Sequence, residues 1–159
     1  MTKEELKQRL AAYKPLQFEV EQKLDRLARM KSDEQLPATR ESDASKSTGG
    51  KGDRMERAIL RRMEWEEKNL PQIEAARREM ADLEAIIDGL EDPMGRECLR
   101  LRYLDGEDIK LTKWQDVAIG LFGGDDDKYI KAAFRILDAA LTELCKKGEE
   151  KDAIAQNLL

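Results

Sequence analysis

The chain has 159 residues, 40% of them charged and 5% aromatic, with a net charge of −5. The length fits one domain or one domain with an extension, and the composition points to long solvated helices rather than a thick core. An acidic balance excludes binding nucleic acid through overall charge, so any such contact must rest on a local patch.

Taken in chain order, Thr2 to Met30 reads as a helix. Leu6, Leu10, Tyr13, Gln17, Val20, Leu24 and Leu27 alternate by four and three, which is a coiled-coil-like heptad seam. Such a seam serves self-association or an amphipathic helix packed on its own chain. Pro15 interrupts it and predicts a kink or a split near Tyr13-Lys14. Residues Ser32 to Arg54 are rich in Ser, Gly, Asp and Lys and have almost no large apolar side chain, so a flexible loop is expected. Gly49-Gly50-Lys51 lacks the spacing of a phosphate-binding loop and follows no strand.

Met55 to Leu90 is the longest predicted helix. Its seam is read as Ile59, Met63, Glu66, Leu70, Ile73, Ala76, Met80, Leu83, Ile87 and Leu90, with a kink or break at Pro71 between Glu67 and Gln72. Its other faces alternate in sign, as in Arg57, Arg61 and Arg62 against Glu64, Glu66 and Glu67, which describes a solvated surface. The simplest arrangement returns this helix along Thr2 to Met30 as an antiparallel hairpin spanning residues 1–90, with the loop 32–54 at its tip.

Three helices follow in residues 91–148. The first opens at Asp92 as N-cap with Pro93 at the first helical position, carries Leu99, Leu101, Tyr103 and Leu104, and stops at Asp105-Gly106. The second opens at Thr112, with Gln115 completing a capping box, carries Trp114, Val117, Ala118 and Leu121, and stops at Gly123-Gly124. The third starts among Asp125, Asp126 and Asp127, whose charges suit a helix N-terminus. Its apolar residues Ile130, Phe134, Leu137, Leu141 and Leu144 recur by three and four. Lys146 and Lys147 suit its C-terminus and Gly148 its stop, leaving 149–159 as a short tail that frays or docks on a neighbour.

Three short helices with a glycine turn make a helix-turn-helix pattern. The run LRLRYLDG, then a loop, then W-x-x-VA-x-x-L and a long helix ending in AL-x-x-L, resembles the fourth, promoter-recognition region of bacterial sigma factors. More closely, it resembles the prophage late-gene regulators of the RinA/ArpU type, over about a third of the chain. In this chain the position four residues after Ala118 is Phe122, with glycine one and two residues later, so the turn LFGGDDD is longer than a compact one. The resemblance implies that the third helix enters the major groove of double-stranded DNA, and that RNA polymerase is a partner.

On that helix Lys128, Lys131 and Arg135 fall together opposite the apolar residues, where Arg and Lys meet guanine edges or phosphates. Tyr129 and Lys113 could flank them with backbone contacts. A solvated basic face balancing the acidic turn is the structural alternative, because Asp125 to Asp127 would oppose phosphates. Trp114, Val117, Leu101, Tyr103, Phe134 and Leu137 read as core. Arg96, Arg100 and Arg102 decorate the first helix, either solvated and paired with Glu91, Glu97 and Asp105 or touching phosphate or polymerase.

No catalytic, cofactor or metal site is expected. The chain has no histidine, and Cys98 and Cys145 match no zinc or redox spacing. Both cysteines read as packing residues in a reducing cytoplasm. Residues 1–10 are charged throughout, so no signal peptide is expected, and no apolar run approaches membrane-spanning length. The expected fold is all-α: a coiled-coil-like N-terminal hairpin followed by a three-helix helix-turn-helix unit. The expected function is a DNA-binding phage or prophage regulator, assembled as a homo-oligomer. A helical scaffold or adaptor without DNA binding, or a phage DNA-packaging small subunit, is the rival.

Overall fold

The computed structural model describes residues 1–35 and 50–158, and among them all regular structure is helical. The helices are α1 (Lys3–Ala11), α2 (Tyr13–Gln35), α3 (Gly50–Asp88), α4 (Pro93–Leu99), α5 (Trp114–Phe122) and α6 (Asp127–Asn157). Helix α4 runs on into a π-helical turn, Arg100–Leu104. By contact these residues form two compact units, Met1–Phe18 with Arg78–Leu159, and Glu19–Arg77.

Local chemistry accounts for most helix ends. Thr2 and Glu5 form a reciprocal capping box at the start of α1: the Thr2 hydroxyl accepts from the Glu5 amide and the Glu5 carboxylate accepts from the Thr2 amide. The α1–α2 break falls at Ala12, just before the expected point. It seats Pro15 in the first turn of α2, where a missing N–H costs no helical hydrogen bond. Asp92 caps α4 by accepting from the amides of Met94 and Gly95, with Pro93 as first helical residue.

The first unit holds the core. Leu6 and Leu10 of α1 meet Leu83, Ile87 and Leu90 around the end of α3, Leu99 of α4, Val117 of α5 and Leu141 of α6, all fully buried. Burial of each such side chain is worth about 1.5–3 kcal/mol. Gly95 lets α4 lie close to its neighbours, since a Cβ there would stand 2.8 Å from Leu90 Cδ2 and 3.3 Å from Ala140 Cβ.

In the second unit, Arg62 of α3 pairs with Glu34 of α2 at 2.6 Å and with Glu66 at 2.7 Å. Lys23 donates to the Gln72 side chain. These contacts correct the expected seam. Arg62, Trp65, Glu66 and Asn69 are the half-buried residues between Ile59 and Ile73, while Met63 and Leu70 are exposed together with Leu60. The heptad phase set by Ile73, Ala76, Leu83 and Ile87 continues backwards through Asn69, Glu66 and Arg62, rather than through Leu70 and Met63 one position later, with Trp65 beside it.

Four further expectations are corrected. Of the kink or break expected at Pro71, the break does not occur, since helix α3 passes through it. Pro71 and Glu67 are exposed, so water can take the carbonyl that proline leaves unbonded. Residues 32–35 and 50–54 of the expected loop are helical, and the rest of that loop lies outside the described residues. Gly148 does not stop the last helix, which continues to Asn157. Phe134 is not core: it is 47% exposed. Among the described residues no helix is long and apolar enough to cross a membrane.

Candidate nucleic-acid interface

The basic face is positioned by α4, α5 and α6. At the end of α4 the Asp105 amide reaches back five residues to the Arg100 carbonyl, at 2.8 Å. This π turn turns Tyr103 and Leu104 inward together and leaves Arg102 half-buried. The Arg102 guanidinium lies over the Trp114 ring, 4.6 Å from its centroid. Nη1 donates to the Thr112 carbonyl, and Nε is buried without a partner. Burial lowers the Arg102 pKa. Arg102 is therefore part of the scaffold, not the surface residue its alternating LRLR context predicts. Arg100 pairs with Asp88 instead of the acidic residues expected for it.

The loop after Asp105 is held from outside. Lys14, only 4% exposed, donates to the Lys110 carbonyl at 3.2 Å and to the Thr112 hydroxyl at 2.8 Å. The Thr112 hydroxyl in turn donates to the Asp105 carbonyl at 3.2 Å. Desolvation lowers the Lys14 pKa, against the opposing pull of Asp105 and Asp108. Thr112 is thus committed to the loop, and the expected Thr112–Gln115 capping box does not form. Lys113 is the N-cap residue of α5, without a side-chain cap bond.

Helix α5 ends at Gly123, which takes the left-handed conformation, φ +80°, and donates its amide to the Ile119 carbonyl. Asp126 then caps α6 by backbone position alone, with no side-chain cap bond. Ala133, Leu137, Ala140, Leu141 and Leu144 are the buried face of α6. Lys128, Lys131 and Arg135 are all exposed, and at 100° per residue they centre opposite that face. None of the three enters an ion pair among the described residues.

The remaining predicted residues are placed differently. Tyr129 is half-buried and stacks on Phe122, ring centroids 5.3 Å apart, with the Lys128 ammonium 4.8 Å from its own ring centre. It braces the long turn rather than standing free beside the basic face. Lys113 is exposed, and its neighbour Trp114 packs on Phe134 at 4.1 Å between ring centroids. Asp125, Asp126 and Asp127 are all exposed at the head of the same helix. Asp127 stands one turn before Lys131, and Asp138, one turn beyond Phe134, is paired with Lys3 at 3.1 Å. Lys14 and Arg102 shape this region without any sequence signal to single them out. Each reads as one more cation among many.

Comparison with protein-family models, with curated proteins and with solved structures finds no match for this chain.

Proposed function

We propose that this chain is a sequence-specific DNA-binding regulator of the phage or prophage kind, acting with RNA polymerase through a sigma-like helix-turn-helix built from α4, α5 and α6. In this reading the N-terminal helices form a hairpin that sets oligomeric state or contacts polymerase. The observation that carries it is the face of Lys128, Lys131 and Arg135, exposed, free of ion pairs among the described residues and turned away from the buried side of α6. A helix presenting cations in this way has the chemistry to meet phosphates and guanine edges in a major groove. The turn is longer than a compact one: four residues, Gly123 to Asp126, separate α5 from α6.

One observation favours a second reading. Asp125, Asp126 and Asp127 are exposed where α6 begins, and phosphates there would be repelled. A helical scaffold or adaptor, or a phage DNA-packaging small subunit, has no need of a clear path to phosphate at that end.

Selection of bound duplexes from a random pool by the purified chain separates the two. Recovered sequences converging on one motif support the regulator. Recovery no better than background leaves the scaffold.

A further inference from the structure

The approach to α5 gathers positive charge in a chain whose balance is acidic. Two adjoining depressions, of about 680 and 590 Å³, open beside it and share Ala11, Arg102, Leu111 and Trp114. Each lies within the range of about 300–1,000 Å³ found for small-molecule sites. The two are lined differently. The charged residues of the first are Arg102, Lys110 and Lys113, and no carboxylate is among the described residues that line it. Neither lysine enters an ion pair among the described residues. The second is walled by Trp114, Phe134, Leu137 and Leu141. Its carboxylate, Asp138, stands 3.1 Å from the Lys3 ammonium.

Arg102 lines both depressions and holds no anion. A guanidinium has five N–H donors. Among the described residues Arg102 uses one side-chain donor, Nη1, on the Thr112 carbonyl. Nε is sealed in without a partner, and Nη2, unbonded but not sealed in, is left to the groove. Arg9, Arg62 and Arg100 each hold a carboxylate, which raises their pKa values, whereas burial lowers that of Arg102. A partly buried cation without a counter-ion costs stability, and a bound anion offsets that cost. The Trp114 ring centre is 4.6 Å from the Arg102 guanidinium carbon and 4.1 Å from the Phe134 ring centre. Cation and aromatic wall are therefore within reach of one short molecule.

We propose that this groove binds a small organic carboxylate with an apolar body. The carboxylate accepts from Arg102 Nη2, with Lys110 and Lys113 beside it. The body covers Phe134, which is 47% exposed, and the open part of Trp114. A planar carboxylate matches the edge of a guanidinium. The ligand has a single negative end, because Asp138 at the second depression repels another. The site does not rest on the DNA-binding reading.

The indole N–H resonances of the full chain test it, since Trp65 lies in the other compact unit and serves as an internal control. With phenylbutyrate at neutral pH, the Trp114 resonance moves with a Kd of about 1 mM or tighter, and that of Trp65 stays. Phenylbutanol, the same body without charge, binds at least about tenfold more weakly, and acetate, the head without the body, does not bind at about 10 mM. Lys110→Gln with Lys113→Gln, both at exposed positions, weakens phenylbutyrate about fivefold and leaves phenylbutanol unchanged. Phe134→Ser weakens both. A Trp114 resonance unmoved by phenylbutyrate, an acid and an alcohol that bind alike, or a double lysine variant that keeps full affinity for the acid overturns the proposal.

Discussion

The Lys14 ammonium donates to the Thr112 hydroxyl at 2.8 Å, so a buried cation from the start of α2 fixes the residue just ahead of α5. Thr112 passes the link on to the Asp105 carbonyl. Thr112→Val keeps the shape and removes both bonds, so it should lower stability by about 1–3 kcal/mol, because Lys14 loses a buried partner. Thr112→Ser should retain most of it. Gln115→Ala should stay within about 0.5 kcal/mol, since Gln115 is exposed and caps nothing. Urea unfolding of the three variants checks this. Equal losses for Thr112→Val and Gln115→Ala would restore the capping box and contradict the structure.

Two glycines should fail for different reasons. Gly123 has φ +80° and open space around a would-be Cβ. Gly123→Ala should therefore cost about 1 kcal/mol, from backbone conformation alone. Gly95 is helical and crowded, so Gly95→Ala should cost about 1–3 kcal/mol through overpacking against Leu90 and Ala140. Trimming the obstructing side chain in Gly95→Ala/Leu90→Val should couple the two sites in a double-mutant cycle, and no trim should rescue Gly123→Ala. Thermal unfolding reads both.

Much of the helical layout was legible because it rests on short-range chemistry. Asp92-Pro93, the end at Asp105 and the end at Gly123 all follow from residues within one turn. The same kind of pattern, Thr-x-x-Glu at Thr2 and Thr-x-x-Gln at Thr112, forms a capping box only at the first. At the second, Lys14 claims the hydroxyl from 98 positions away, and no local reading can see that contact. The seam of α3 misled for a similar reason. Met63 and Leu70 are apolar and lie one step from the buried line, but Glu34 draws Arg62 into it. Gly148 looked like a stop because glycine is common there, yet it takes no left-handed conformation and the helix continues. Of the proposed basic face, the spacing of Lys128, Lys131 and Arg135 was fully readable. Tyr129 was not, because its place depends on how far the long turn brings Phe122 back over it.

The two thiols should differ sharply. Cys98 is fully buried, its Sγ 3.6 Å from the Ala133 carbonyl, and burial pushes its pKa up to about 11. Cys145 is half-buried. A thiol reagent at pH 8 should label Cys145 at least about tenfold faster, and reach Cys98 only through opening of the fold. Equal rates would mean that Cys98 is not enclosed as described.

Alkaline stability follows from the same burial. Between pH 9 and 11 the unfolded Cys98 thiol ionises while the folded one keeps its proton, so stability falls as pH rises, by on the order of 2 kcal/mol. Tyr13, buried and bonded to Glu84, and Tyr103, buried, also have raised pKa values and add to the fall above pH 10. Lys14, whose pKa is lowered, works in the opposite direction and recovers stability as it loses its charge. Cys98→Ala should flatten the pH 9–11 slope measured by urea unfolding, whatever its effect on stability at pH 7. An unchanged slope would remove Cys98 from the account.

DNA binding through the exposed face of α6 is the central claim, and salt dependence tests it most directly. Affinity for a selected duplex should be measured by fluorescence anisotropy across a salt series, for wild type and for the Lys128→Ala/Lys131→Ala/Arg135→Ala variant. If each of the three cations neutralises one phosphate, the slope of log K against log salt should become shallower by about 3 in the variant, with weaker binding and an unchanged helical spectrum. Wild type that binds no duplex at low salt, or a variant that binds with the same slope, would contradict it.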